Sequence, residues 1–433
     1  MLVASSVSIV GTRVSTIALP WLVYTETNSP GLTGLVLTAE MAPYVISKAL
    51  GGPLVDHRGP RAISVLGDLL SGAFLVLIPI LYAAGQLSLP ERIPLLLALV
   101  ALAGAFRGPG DGARNAMIPA VSDATGVPLE RITGIDSTLD RASGLLGAGI
   151  GGLLVAVFGA AQTVAVTAGS ALVSAVVVAV FIPGVSLGNS QEAGTYFARL
   201  RTGALFLHKD RLLRAILMMI AVTNLLEAAY ISVMLPVWVH SNGHGPALIG
   251  LLGTLFGGAA VASSLVATAL AGRFSRRTAY LAGFTLCGAP RYLALAVGAP
   301  LSVIIVTNVI AGLGAGFINP TISALFFERV PRHIIGRVGS LADALAWAGL
   351  PVGGVVGGLA VTALGVSPAL GVAGAAYLVS TTVPGVRPEW GEMDRAHRTQ
   401  DAVHGGGHLN PPSSVATRSC CRWQVRGLPP HDD

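Results

Sequence analysis

Long apolar runs separated by short polar loops dominate the chain from residue 2 to about residue 386. The hydrocarbon core of a bilayer is about 30 Å thick, so a helix needs about 20 apolar residues to cross it. The pattern therefore predicts twelve membrane-spanning helices. They lie near residues 2–24, 31–54, 62–84, 93–118, 132–158, 161–185, 213–239, 247–271, 278–297, 300–325, 338–364 and 366–386. The first segment is too long for a signal peptide and has no small-residue cleavage site, so we count it as a helix.

The composition agrees with this pattern, since 53% of the residues are hydrophobic, 11% are charged and the mean hydropathy is +0.71. Soluble domains carry about 25% charged residues, so a cytosolic enzyme, a disordered chain and a nucleic-acid binder are excluded. The cysteines have no metal-ligand spacing, and there is no Gly-x-x-x-x-Gly-Lys-Ser/Thr nucleotide-binding run. We expect neither a metal nor a cofactor.

Arginine and lysine predict the orientation. The loops that follow even-numbered spans carry many of these residues, whereas the loops that follow odd-numbered spans carry only Arg92. Cytoplasmic loops are enriched in Lys and Arg. We therefore expect a multi-pass protein of the cell membrane with both termini in the cytoplasm.

A polar stretch in the middle of the chain divides the spans into two sets of six. We predict an N-terminal bundle at 1–186, a central cytoplasmic loop at 187–212 and a C-terminal bundle at 213–388. The following residues are rich in Gly, Pro, Ser, His and Arg, which cannot bury enough apolar surface to fold. Residues 389–433 are therefore predicted to form a disordered cytoplasmic tail.

The two halves of the chain repeat one another. At an offset of 216 residues the matches include Leu19-Pro20 with Leu235-Pro236, Pro30 with Pro246 and Arg61 with Arg277. At an offset of 206 residues they include Arg131 with Arg337 and Gly151-Gly152 with Gly357-Gly358. Six spans per half is an even number, so both halves enter the membrane in the same orientation. We predict an all-α membrane protein of two pseudo-symmetric six-helix bundles, with a substrate path between them near the midplane.

The loop after the second predicted span, residues 52–61, reads GPLVDHRGPR. It resembles the signature loop of the major facilitator superfamily, Gly-x-Leu-Ala-Asp-Arg-x-Gly-Arg-Arg, and so implies the major facilitator fold. The copy in the second half, at 270–277, lacks the acid. The loop suits a cytoplasmic gate, in which Asp56 pairs with Arg114 in the outward-facing state; a plain basic turn is the alternative. The gating candidates in this loop are Gly52, Asp56, Arg58, Gly59 and Arg61.

Spans 5 and 11 carry glycines at helical spacing. The span 5 pattern is similar to the antiporter motif of the same family, Gly-x-x-x-Gly-Pro-x-x-Gly-Gly, with Ala148 where proline is expected. Such glycines favour tight helix contact, so the pattern indicates either antiport or packing alone. The residues concerned are Gly147, Gly151, Gly152, Gly353, Gly357 and Gly358.

Short stretches at 8–20, 113–119 and 203–214 resemble the macrolide-efflux and siderophore-exporter branch of the superfamily, which consists of drug:proton antiporters. The resemblance implies proton-coupled export of small hydrophobic or amphipathic compounds by alternating access. The partners would be a small-molecule substrate, protons and the lipid bilayer, and we expect a monomer. Where this branch carries an acid in span 1 the chain has Thr12, so no proton role is carried over to that position.

Charged residues inside the spans are functional candidates, because each is costly in a membrane. Arg107, Asp111 and Arg114 follow one face of span 4, and Asp136 and Asp140 share a face of span 5. We predict that they form one cluster of mutually compensating charges in the inner half of the first bundle. A gate and a structural ion-pair network are both compatible with it.

Glu227 lies near the middle of span 7 with no base nearby in sequence. Spans 1, 4, 7 and 10 line the central cavity in this family, so an unpaired Glu227 would suit reversible proton binding. The alternative is a structural Glu227 bonded to Asn224 or Tyr230. The further candidates for proton or substrate binding are Glu40, Asn224, Asn308 and Asn319.

Two other functions remain open. One is an uptake symporter of the same fold for sugars or organic acids, although the spans hold no dense set of Gln, Asn and Trp. The other is a receptor or assembly factor that has lost transport, against which the intact Asp56 loop counts. None of these functions is enzymatic.

Removal of the residues after 395 tests the predicted tail. Because this segment is polar and low in apolar residues, the truncated protein should reach the membrane and transport as the full chain does. Expression, monodispersity in detergent and transport should be measured side by side. Complete loss of folded protein would mean that the tail docks onto the bundles.

Overall fold

The computed structural model describes residues 2–89, 91–118, 121–122, 126–182, 196–269, 275–331, 334–386, 390 and 393. The regular structure of these residues is entirely helical, which confirms the predicted all-α class. The first helices are α1 (Leu2–Thr27), α2 (Pro30–Leu50), α3 (Gly52–Arg58), α4 (Pro60–Ala83), α5 (Ile93–Ala116), α6 (Leu129–Phe158) and α7 (Ala160–Phe181). The others are α8 (Tyr196–Lys209), α9 (Arg211–Ser241), α10 (Pro246–Ala269), α11 (Arg276–Cys287), α12 (Ala289–Ala296), α13 (Leu301–Arg329), α14 (Ile335–Trp347), α15 (Gly349–Leu364) and α16 (Val366–Thr382).

Eight helical segments of the described chain are long and apolar enough to cross a membrane. Two shorter apolar helices cover Ala142–Phe158 and Val366–Thr382. Large apolar side chains face outwards on these helices; Phe181, for example, is 74% exposed. Exposed apolar surface of this extent requires a cover, which lipid chains supply in a membrane. The total of twelve spans stays a prediction.

Two of the predicted spans are interrupted. The segment at 278–297 divides into α11 and α12 at Gly288, where the ring of Tyr377 occupies the place of a side chain. The segment at 338–364 divides into α14 and α15 at Ala348. Pro351, in the first turn of α15, has no N–H to donate to the preceding turn, which accounts for the second break.

The internal repeat extends to the backbone. Gly159, with φ +85°, joins α6 to α7, and Gly365, with φ +84°, joins α15 to α16. The two glycines are 206 residues apart, which is one of the two offsets of the sequence repeat. Both turns need glycine because positive φ is unfavourable for residues with a Cβ.

The two most extensive contacts between the halves of the described chain are helix seams, and the first is the seam between α2 and α15. A Cβ on Gly34 would overlap the carbonyl oxygen of Gly354. The Thr38 hydroxyl donates a hydrogen bond of 2.6 Å to the Pro351 carbonyl. Backbone contact of this kind is possible only where one helix presents glycine to the other.

The second contact is the seam between α6 and α10. A Cβ on Gly152 would lie 2.6 Å from the Cα of Gly250. One turn earlier on α6, a Cβ on Gly149 would lie 2.5 Å from the hydroxyl of Thr254. Both seams therefore depend on the absence of side chains at particular positions.

The predicted tail begins too early. Trp390 and Met393 lie within the segment 389–433 that was predicted to be disordered, yet both are completely buried. The ring of Trp390 lies 5.7 Å from that of Tyr280 on α11. The side chains of Trp390 and Met393 thus pack on the helices. Residues 394–433 lie outside the described residues.

Gly34→Ala tests the seam between α2 and α15. The added methyl group would overlap backbone, and overpacking typically costs about 1–3 kcal/mol. The melting temperature of the purified protein in detergent should fall. Gly169→Ala in α7 is the matched control, since its Cβ would meet no atom within 4 Å, and its melting temperature should stay equal or rise. Equal melting temperatures for the two variants would contradict the close contact.

Candidate functional site

A cavity of about 630 Å³ lies between the two halves of the chain. Side chains of α1, α2, α5, α9, α13, α14 and α15 form its wall. Ser5 at the start of α1, Lys48 at the end of α2 and Asn115 at the end of α5 all line it. The seam glycine Gly34 lies at the opposite end of α2, so the cavity reaches towards the helix ends remote from this closed seam.

The Arg107 side chain joins α5 to α2. Its Nη1 lies 3.0 Å from the Glu40 carboxylate, and both side chains are buried. The guanidinium carbon also lies 5.0 Å from the centre of the Tyr44 ring, in a cation–π contact. A Cβ on Gly104 would overlap the Glu40 carbonyl oxygen, so glycine brings the two helices close enough for this pair.

Arg114 holds two further carboxylates, those of Asp68 on α4 and Asp111 on α5. The Ser174 hydroxyl of α7 donates to Asp68 at 2.7 Å, and the Tyr44 hydroxyl of α2 donates to Asp111 at 3.0 Å. Four helices thus converge on these side chains. We call the following five residues the N-half network: Glu40, Asp68, Arg107, Asp111 and Arg114.

The N-half network contains the three α5 residues that the spacing placed on one face, together with Glu40. Asp68 was not among the predicted site residues, because the arginine that pairs with it in space, Arg114, is 46 positions away in sequence. Its position in the middle of an apolar span was the available signal. The side chains of Asp136 and Asp140 lie outside the described residues.

The signature loop places its last arginine at a helix end. Arg61 donates to the carbonyl of Ala179, in the last turn of α7. Its repeat partner Arg277 donates to the carbonyl of Gly385, just after α16, at 2.6 Å. A cation at a helix C-terminus satisfies carbonyls that have no partner within the helix.

Among the described side chains of the loop, that of Arg58 makes no such contact in this conformation. Gly59 turns the chain between α3 and α4 with φ +82°, and Arg58 is exposed. A Cβ on Gly52 would meet no atom within 4 Å. The Asp56 side chain lies outside the described residues, so its pairing with Arg114 stays a prediction for the outward-facing state.

Glu227 lines the cavity, as predicted, but the prediction that it has no basic partner is wrong. Its carboxylate forms an ion pair with Arg291 on α12. The Arg291 guanidinium is itself buried between the rings of Tyr230 and Phe256, at 4.8 and 4.9 Å. Arg291 is 64 residues further along the chain, so local spacing could not reveal the pair. The Glu227 side chain keeps 28% of its surface exposed.

The three asparagine candidates differ in their placement. Asn319 lines the cavity. The Asn224 amide donates to the Ala346 carbonyl of α14 at 2.8 Å. Asn308 is buried and donates to the carbonyl of Ile304 on its own helix. Neither of these two residues lines the cavity in this conformation, and a binding role for them stays a prediction.

The glycine motif residues lie against neighbouring helices. A Cβ at each position would lie within about 3 Å of another residue. These neighbours are Arg13 for Gly147, Val14 for Gly151, Gly250 for Gly152, Leu225 for Gly353, Ala229 for Gly357 and Pro30 for Gly358. Packing alone accounts for the six glycines in this structure, and a role in antiport stays a hypothesis.

The family model of the Major Facilitator Superfamily matches residues 1–238 and 217–389. The chain belongs to this superfamily. The multidrug efflux pump Tap of Mycobacterium tuberculosis (strain ATCC 25618 / H37Rv) is 29% identical over 400 residues, which cover 92% of this chain and 94% of that protein. The multidrug efflux pump Tap of Mycolicibacterium fortuitum is 26% identical over 393 residues, which cover 90% of this chain and 95% of that protein.

Solved structures of transporters share the fold. The nucleoside transporter NupG superposes with a TM-score of 0.67 at 12% identity, covering 92% of this chain and 97% of that one. A D-xylose–proton symporter superposes with a TM-score of 0.66 at 14% identity, covering 90% of this chain and 98% of that one. A bacterial homologue of the lysosomal transporter Spinster, solved inward-facing and unoccupied, gives 0.62 at 14% identity, covering 95% and 97%. As a member of the superfamily with membrane-length apolar helices, this chain is a multi-pass membrane transporter.

Arg114→Ala tests the N-half network. It leaves Asp68 and Asp111 without their shared cation, and breaking a buried ion pair costs about 3–5 kcal/mol. The melting temperature in detergent should drop strongly, and the double variant with Asp68→Asn should recover part of the loss. Arg92→Ala in an exposed turn is the control and should have little effect. Equal melting temperatures for Arg114→Ala and Arg92→Ala would contradict the structural role of the pair.

Proposed function

We propose that this protein exports small hydrophobic or amphipathic compounds, including drugs, by proton-coupled alternating access. The relatives that match almost the whole chain are named multidrug efflux pumps. The cavity between the halves combines apolar side chains such as Leu37, Met41 and Ile231 with charged ones. Ligand sites of this mixed character hold apolar molecules and orient them by a few polar groups.

The conformation is, in this proposal, the inward-open state. The positive charge of the loops on that side supports a cytoplasmic position for the end of α2 that carries Lys48. The cavity reaches this end, and the seams at Gly34 and Gly152 close the other. A transporter that loads substrate from the cytoplasm needs this state.

Transport then consists of rocking the two bundles, 1–186 and 213–388, about the cavity. Opening the outer side separates α2 from α15 and α6 from α10, and closes the cytoplasmic side. Pairing of Asp56 with Arg114 in that state would need a further rearrangement within the N-terminal bundle, because both residues belong to it. The N-half network keeps its own helices together during the movement, because separating its charges in a membrane is costly.

The ion pair between Glu227 and Arg291 is the observation that carries the proton-coupling proposal. Glu227 is the described carboxylate of the C-terminal half that lines the cavity, and its partner is fixed by aromatic rings. Protonation would remove the charge of Glu227 and leave Arg291 without its anion. The two protonation states would therefore favour different positions of α9 against α12. A ligand shifts a conformational equilibrium only by such a difference in affinity.

Glu227→Gln mimics the protonated form and fixes it. In proteoliposomes with an imposed proton gradient, the variant should lose gradient-driven export of a fluorescent dye such as ethidium. Downhill exchange of the dye should persist. Glu91→Gln in an exposed turn is the matched control and should transport like the wild type.

Three outcomes would count against the proposal. A pH dependence unchanged in Glu227→Gln would move the coupling role to Asp111 or Glu40. Accumulation driven in the opposite direction would favour an uptake symporter. Binding without flux in either direction would favour a receptor that has lost transport.

A further inference from the structure

One cation of the cavity wall has no counter-ion among the described residues. Arg13 lies in the middle of α1, its side chain is exposed and it lines the cavity. Its guanidinium makes no hydrogen bond or ion pair with any described residue. The arginines of the N-half network and Arg291, in contrast, are each paired with a carboxylate. An uncompensated guanidinium at this depth is costly and marks a functional position.

The surrounding backbone gives Arg13 room to face the cavity. A Cβ on Gly147 of α6 would lie 2.5 Å from the Arg13 Cβ. A Cβ on Gly144, one turn earlier, would lie 3.7 Å from the Arg13 Nε. A side chain at Gly147 would push the arginine stem away from α6, whereas a Cβ at Gly144 would only make ordinary contact with the guanidinium. Gly147 therefore lets the arginine stem lie against α6, with the side chain at the cavity wall.

The opposite charges of the wall are already engaged. Asp111 is held by Arg114, and Glu227 by Arg291. Lys48 adds a second cation, which donates to the Tyr44 hydroxyl at 3.3 Å and lies 5.5 Å from the centre of the Trp347 ring. The available charge of the cavity is thus positive, among apolar side chains.

We propose that Arg13 is an anion-binding residue and that the substrates of this transporter include amphipathic compounds with a carboxylate, sulfonate or ionised phenol. The five N–H donors of arginine match the planar oxygens of such groups and can bind them in a bidentate manner. The apolar part of the compound packs against side chains such as Met41 and Leu350. That such binding leads to export rests on the proposed function; the binding itself does not.

The test uses two fluorescent probes that share a ring system. 8-Anilinonaphthalene-1-sulfonate carries a sulfonate, and N-phenyl-1-naphthylamine is the same framework without it. Binding should be titrated on the full chain in lipid nanodiscs, with empty nanodiscs subtracted. The wild type should prefer the sulfonate probe by about tenfold, since a hydrogen bond to a charged group contributes about 1.5–3 kcal/mol. Arg13→Gln should abolish this preference and leave the neutral probe unchanged, and Arg13→Lys should retain part of it.

The control variant is Arg92→Gln, which removes an arginine of an exposed turn and should keep the wild-type preference. Absence of a preference in the wild type would overturn the proposal. An equal loss for both probes in Arg13→Gln, restored by Asp140→Asn, would also overturn it, because Arg13 would then be a structural counter-ion of Asp140. Gradient-driven flux is measured separately in proteoliposomes. Arg13-dependent binding without flux would uphold this inference and contradict the proposed export.

Discussion

A charge inside a membrane-spanning bundle is costly unless an opposite charge and hydrogen bonds accompany it. This constraint organises the described interior of the protein. The ion pairs there are Glu40–Arg107, Asp68–Arg114, Asp111–Arg114 and Glu227–Arg291. Three of the four join different helices, so the position of one helix fixes that of its partner. Helices linked in this way have to move as a unit or exchange their partners.

Glycine supplies the second condition, which is close approach. In the first half, Gly104 lets α5 contact the backbone of α2 at Glu40, so that Arg107 can reach that carboxylate. Between the halves, α2 and α15 meet at Gly34 and Gly354, which carry no charged side chain. The contact of α2 with α5 within the first half thus combines packing with an ion pair. The contact of α2 with α15 between the halves depends on packing and on the hydrogen bond of Thr38. A seam without charges can separate without leaving an ion unpaired.

The cost of an uncompensated charge inside a membrane also applies to the wall of the cavity. The described wall holds paired carboxylates, together with Arg13 and Lys48, which form no ion pair with a described residue. A neutral cavity would impose little charge selection, whereas cations in an apolar wall would favour anionic groups and tolerate variety in shape. Under the two proposals, this combination would allow a broad substrate range together with discrimination by charge.

The sequence by itself determined the all-helical class, the apolar segments and the internal repeat, because hydropathy, glycine turns and loop charges are properties of local sequence. It also placed Arg107, Asp111 and Arg114 together, since helical spacing brings them to one face. Only the tertiary structure decided the partners of Asp68 and Glu227, which lie 46 and 64 residues away in sequence. The hydrogen bond from Asn224 to the Ala346 carbonyl, and the lack of a counter-ion for Arg13 among the described residues, are of the same kind. Each depends on which helix lies opposite the residue, and the spacing of residues along the sequence does not specify the neighbouring helix.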